Sequence, residues 1–289
     1  MADIPTLKLV QETKIADLLP DTPRGVAHEA SGVLAKDGKF FVVFDNHTSV
    51  ARLSDDLLPR PMNGLFGMAR GDDGYEGITY NAAKRRFYLL VESRKQKSGR
   101  YLAEIVEYDD TLSFVKRRPL EFEFKTANKG FEAVSYVRRG GRDYALALCE
   151  GNKCKSGKKG RQPGDGRVQL FAKKKRRWSH LSTIKLPKSV MFEDYSALTI
   201  DGCRVAVVSQ QNSELWVGVF EEAAWSWCDD GQIYQFPRTA DGDKHYGNVE
   251  GAAWITPSRL VTVSDRRKKD QDERFAEKDQ SIHIFDLPS

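Results

Sequence analysis

The sequence predicts an all-β protein: a five-bladed β-propeller formed by residues 1–289 as one domain. Two observations carry this. A short segment occurs five times, as EASGV (29–33), YEGIT (75–79), FEAVS (131–135), YSALT (195–199) and VEGAA (249–253). Each copy is followed by a second apolar run that ends in a polar residue, at Asp45, Glu92, Glu150, Gln210 and Asp265. The equivalent polar positions of the first segment are Ser31, Glu76, Glu132, Ser196 and Glu250, spaced 45, 56, 64 and 54 residues apart. That spacing suits a unit of four short strands.

The remaining strands follow in order. LKLVQE (7–12) reads as a strand with no partner nearby in sequence. Repeat one continues with SVARL (49–53), and its fourth strand falls somewhere in 58–66, where two prolines and a glycine weaken the pattern. Repeat two is the clearest, with YLAEIVEY (101–108) and SFVKRRPLEFEF (113–124). Repeat three adds RVQLF (167–171) and WSHLSTIKL (178–186), and repeat four adds ELWVGVF (214–220) and QIYQF (232–236). Repeat five ends with SIHIFDL (281–287), its third strand. The N-terminal strand is therefore expected to supply the missing outer strand and close the ring.

Composition narrows the class. With 40% hydrophobic and 30% charged residues, the chain suits a soluble protein with a real core. Its apolar runs fall far short of the ~18 residues of a membrane helix, and its N-terminus lacks a signal-peptide pattern, so a cytoplasmic monomer without membrane contact is expected. The four cysteines form no CxxC pair, which suits buried thiols in a reducing compartment. The net charge of +5 is uneven: residues 153–177 hold eleven Lys or Arg against Asp165 alone. One basic segment is not a basic protein, and nucleic acid is not the expected partner. The run KKKRRW (173–178) reads as a solvated hairpin tip.

Ser31, Glu76, Glu132, Ser196 and Glu250, at the start of each innermost strand, would all face the central axis. Three carboxylates and two hydroxyls in one narrow space call for a cation, and an all-oxygen set suits Ca²⁺. The loops leading into these strands each carry a cation: Arg24, Arg70, Lys129, Lys188, and Lys244 beside His245. Arg24, Arg70, Lys129, Lys244 and His245 are the candidates for holding an anionic small molecule. Of the polar residues that end second strands on the same face, a pair such as Glu92 and Glu150 suits holding and activating a water, and Asp45 and Glu92 are the candidate catalytic residues. The glycine-rich loop 153–166 reads as a mobile basic arm on that face.

Ser, Glu, Glu, Ser, Glu at the five strand starts resembles the calcium site of the calcium-activated nucleotidases (apyrases), which are five-bladed propellers. RGVAHEASGVLAKDGKFFVVFDNHTSVARL (24–53) and RRKKDQDERFAEKDQ (266–280) look like that family's first blade and last long loop. The Glu-Gly-Ile repeat is also similar to esterase-like phytase propellers. The resemblance implies Ca²⁺ at the five axial positions, and a phosphate near Asp45 and Glu92. It leads to metal-assisted hydrolysis of a phosphate ester or anhydride. The alternative is a non-catalytic propeller with structural calcium, binding an anionic ligand or a protein on its charged face.

Overall fold

The computed structural model describes residues 3–19, 26–67, 74–127, 130–221 and 224–288. Twenty strands among them form antiparallel four-stranded meanders. The first is β2 (Ala30–Lys36), β3 (Lys39–Phe44), β4 (Val50–Ser54) and β5 (Gly64–Phe66). The second is β6 (Gly77–Asn81), β7 (Arg86–Lys95), β8 (Tyr101–Asp109) and β9 (Phe114–Phe124), and the third is β10 (Phe131–Arg139), β11 (Arg142–Cys149), β12 (Arg167–Lys173) and β13 (Trp178–Lys185). A single parallel pairing, Trp178 with Leu120, joins these two into one eight-stranded sheet. The fourth is β14 (Ala197–Asp201), β15 (Arg204–Ser209), β16 (Glu214–Val219) and β17 (Gln232–Gln235).

The last sheet contains β18 (Val249–Thr256), β19 (Arg259–Ser264), β20 (Ser281–Asp286) and, outermost, β1 (Lys8–Lys14). β1 runs antiparallel to β20, from Lys8 opposite Asp286 to Lys14 opposite Ser281. The expected closure by the N-terminal strand is therefore present. The weakly marked strand of the first unit is the three residues of β5.

The first strands of the meanders touch in cyclic order, β2 to β6 to β10 to β14 to β18 and back to β2. Apolar residues between successive sheets form five separate cores. Phe40, Val42, Val261 and Ile282 belong to one, and Leu146, Leu170, Val205 and Trp216 to another. The middle strands pack on both faces, which is why FFVVF (40–44) and ALALC (145–149) read as unbroken apolar runs, all fully or almost fully buried. Each wholly buried side chain of this kind contributes ~1.5–3 kcal/mol. At the centre the backbones nearly meet: a Cβ on Gly32 would lie 2.8 Å from the Gly77 Cα, and one on Gly251 2.8 Å from the Gly32 Cα. Only glycine fits at Gly32 and Gly251, which explains two of the three Gly residues that follow the polar positions.

Two expectations are corrected. The four cysteines are not all thiols: Cys149 and Cys154 form a disulfide, and Cys203 and Cys228 are free. The segment 153–166 is not an irregular arm. It is tied to β11 by that disulfide and folded around buried Asn152. The Asn152 Nδ2 donates to the carbonyls of Gly160 and Phe192, both at 3.0 Å, and its Oδ1 accepts from the Asp165 N–H and the Tyr195 hydroxyl, both at 2.9 Å. With the Glu193 carbonyl at 3.3 Å, one buried amide satisfies five groups and organises a loop that its glycines alone would leave loose. No helix among the described residues is long and apolar enough to cross a membrane.

Candidate functional site: an acidic cavity on the axis

At the starts of the first strands the axis opens into a cavity of about 750 Å³. Glu76, Glu132 and Glu250 line it together with Asp45, Glu92, Glu150 and Gln210 from the second-strand ends. The local backbone explains the aim of the axial side chains. Ser31, Glu132 and Glu250 are the extra residues of β-bulges, skipped in the pairing of β2 with β3, β10 with β11 and β18 with β19. A bulge turns one side chain out of the alternation. Glu76 and Ser196 sit one residue ahead of β6 and β14, their N–H groups donating to Leu90 O and Val208 O, each at 2.9 Å.

The two serines differ from the three glutamates. The Ser31 hydroxyl donates to the Tyr75 carbonyl, and the Ser196 hydroxyl donates to Val249 O at 2.7 Å. Each ties its strand to the carbonyl just before the glutamate of the next one, Glu76 or Glu250. Below the glutamates the axis narrows to a space of about 10 Å³, bordered by Ser31, Gly77, Ala133, Ala197 and Gly251.

Burial pushes the Glu76 and Glu250 carboxyls well above the usual carboxylate range. Glu132 and Glu92 add to it at Glu76, and Asp265 and Glu132 at Glu250. Asp45 is raised to about 7 by burial, then by Asp265 and Glu29, and Asp265 to about 6, again chiefly by burial. Among the described residues, Glu29, Asp45 and Asp265 form the one trio of carboxylates that can offer one oxygen each within 4.8 Å of one another. Oδ1 of Asp45 is buried without a hydrogen-bond donor. The backbone is tight here as well, since a Cβ on Gly74 would collide with the Asp45 carbonyl.

The cations of the cavity come from a segment not picked out residue by residue in the sequence. Arg266, Arg267, Lys268 and Lys269 form one wall, facing nine lining carboxylates that include Glu29 and Asp279. Of the loop cations expected to hold an anion, Arg24, Arg70 and Lys129 lie outside the described residues. Lys244 and His245 are engaged elsewhere. The Lys244 ammonium donates to the Gln211 carbonyl, and His245 Nε2 lies 3.0 Å from Glu277. Neither lines the cavity. Asp45 and Glu92 do.

The donor set suits a hard cation. It is all oxygen, rich in carboxylates that repel one another, and contains neither thiolate nor imidazole.

No sequence family matches the chain, and no curated protein matches it. Solved structures do. A glutaminyl cyclase of Myxococcus xanthus superposes with a TM-score of 0.56 at 11% identity, covering 98% of each chain. A GH43_1 enzyme from Xanthomonas citri gives 0.50 at 8% identity over 93% of this chain and 91% of that one. The WD40 repeats of RRP9 give 0.50 at 10% identity over 99% and 100%. At such identities the likeness establishes a propeller-type fold, one that hosts enzymes as well as binding modules. The nucleotidase and phytase resemblance does not recur among these three structures.

Proposed function

We propose that each four-stranded meander is one blade of a five-bladed propeller, and that its axial cavity holds a divalent cation, Ca²⁺ by its oxygen donors. The activity that suits this site best is hydrolysis of a phosphate ester or anhydride. The carrying observation is the charge of the cavity: nine carboxylates line it against four cations, with Glu76 and Glu250 sunk at its floor. A bound divalent cation supplies polarisation of a phosphoryl oxygen and an acidified water. Glu76, Glu132 and Glu250 are one seat for it, and Glu29, Asp45 and Asp265 on the wall are another. With a cation held on the axis, Asp45 and Glu92 would position a water and one of the two carboxylates would accept its proton. Arg266 to Lys269 hold the anionic end of the substrate, the role first assigned to the loop cations. The Cys149–Cys154 bond favours an oxidising setting over the cytoplasm.

The test is turnover of a panel of phosphate esters and nucleotides with Ca²⁺ and with EGTA, alongside calorimetric melting. Calcium-dependent turnover and a calcium-raised melting temperature are expected. Abolition of the calcium effect by Glu76→Gln with Glu250→Gln assigns the axial seat. Abolition by Asp45→Asn with Asp265→Asn assigns the wall. Higher melting without turnover supports the non-catalytic alternative, and no effect of calcium on melting overturns the cation site.

A further inference from the structure

A second large cavity, about 790 Å³, lies on the opposite face, between the second and third meanders. Its walls are the turns that the acidic face does not use. Lys84 follows β6, Arg142 opens β11, and Lys173, Lys174 and Lys175 run through the turn after β12. Arg118 of β9 closes the floor, its Nε donating to Lys175 O at 3.1 Å. The single pairing of Leu120 with Trp178 brings β9 against β13 at this point and holds these walls together.

The cations here outnumber their partners. With Arg138, seven line the cavity, against one lining carboxylate, Asp143. Asp143 is already shared among Lys84 at 2.6 Å, Arg138 at 3.4 Å and the Tyr136 hydroxyl at 2.9 Å. Beneath the floor, Oε1 of buried Glu107 meets both the Arg118 guanidinium and Lys173 Nζ, the latter at 3.0 Å. The Arg118 and Lys173 side chains are only 8% and 11% exposed. Two buried cations on one carboxylate leave charge uncompensated, and a protein rarely buries charge without a partner. Burial, followed by Arg118 and Lys84, pushes Lys173 down to about 7.

We propose that this basic cavity is an anion site for a small molecule carrying two or more phosphate groups. The converging Arg and Lys side chains offer planar forks and point charges suited to phosphate oxygens. Concavity favours a compact anion over a nucleic-acid strand. The cavity also lacks an open stacking surface: the ring of Tyr144 packs edge-on to Trp225 at 5.4 Å, and those of Tyr88 and Trp178 lie beneath Lys173.

Titration calorimetry of the full chain tests this, with pyrophosphate as the probe and orthophosphate, sulfate and a single-stranded oligonucleotide as comparisons. EGTA is present throughout, so that no metal recruits the probe to the other face. Pyrophosphate should bind at one site per chain, well above orthophosphate and sulfate, and weaken as salt rises. Arg142→Gln, and Lys174→Gln with Lys175→Gln, change surface residues that leave the core intact, and each should weaken binding about tenfold. Lys173→Met should abolish it. Absence of pyrophosphate binding overturns the proposal. So does an affinity unchanged in the surface variants, an affinity no better than that of sulfate, or binding of the oligonucleotide alone.

Discussion

The acidic and basic cavities are of similar size and open on opposite faces of one ring, yet they are made in different ways. The acidic one is a product of repetition: equivalent positions at the starts of three of the five first strands deliver Glu76, Glu132 and Glu250 to one axis. The basic one is a product of departure from repetition. It needs two particular meanders, the Trp178–Leu120 junction between them, and their cation-bearing turns. In a ring of repeats, shared positions build the centre and unshared ones build the flanks. The two sites can therefore be perturbed one at a time.

The largest perturbation removes residues 1–14. β1 is the outer strand of the last sheet, and its Lys14 holds Asp279 of the acidic cavity at 2.8 Å, while Glu12 holds Lys278 and His283. Melting should fall by at least roughly 10 °C, with aggregation through the bared edge of β20. An unchanged melting curve would contradict the closure.

Next in size is Asn152→Ala. Five hydrogen bonds are lost and buried carbonyls are stranded, for a cost of about 3 kcal/mol in urea unfolding. The loop next to Glu150 should become open to proteolysis within 153–166, while pyrophosphate affinity on the other face stays at the parental value. Loss of both together would show that the faces are not independent.

Replacing Glu76 and Glu250 by Gln should act in the opposite direction. Without metal, two penalised carboxylates disappear and stability should rise by roughly 1–3 kcal/mol. The calcium-induced rise in melting should vanish. A destabilised variant that still responds to calcium would sink the axial seat.

The smallest effect is a pH dependence that separates the cavities. Asp45 and Asp265, raised to about 7 and about 6, bind protons in the folded chain that the unfolded chain has already released. Their contribution to stability is complete below pH ~4 and is lost as pH rises through 6 to 7. Lys173, lowered to about 7, is the reverse: the unfolded chain holds the proton longer, so stability climbs from pH ~7 towards ~10. Denaturation in EGTA should pass through a shallow minimum near neutrality. Asp45→Asn should flatten the acid limb and Lys173→Met the alkaline one. A curve that ignores both variants would remove these groups from the account.

The sequence made the acidic cavity legible because its residues recur. The meander plan, the closing strand, and Asp45, Glu92, Glu76, Glu132 and Glu250 around one cavity all follow from five aligned segments. What does not recur could not be read that way. Glu29 lies two residues before Ser31, yet it reaches the Asp45–Asp265 group only because of how the sheets meet. Arg266 to Lys269 sit inside a quoted loop, but nothing in their order says that they turn inward. The Cys149–Cys154 pair spans five residues and matches no spacing pattern. KKKRRW reads as a solvated tip, and only the packing of β9 against β13 sinks Lys173 and turns the run into a cavity wall.

The close approach of Gly32, Gly77 and Gly251 gives the acidic cavity a floor. A tube would let ions drift from one face to the other, whereas this is a cup, stopped by a neck with room for about one water. A cup has one mouth. A solute seated by Glu76 and Glu250 would therefore enter and leave on the side lined by Arg266 to Lys269.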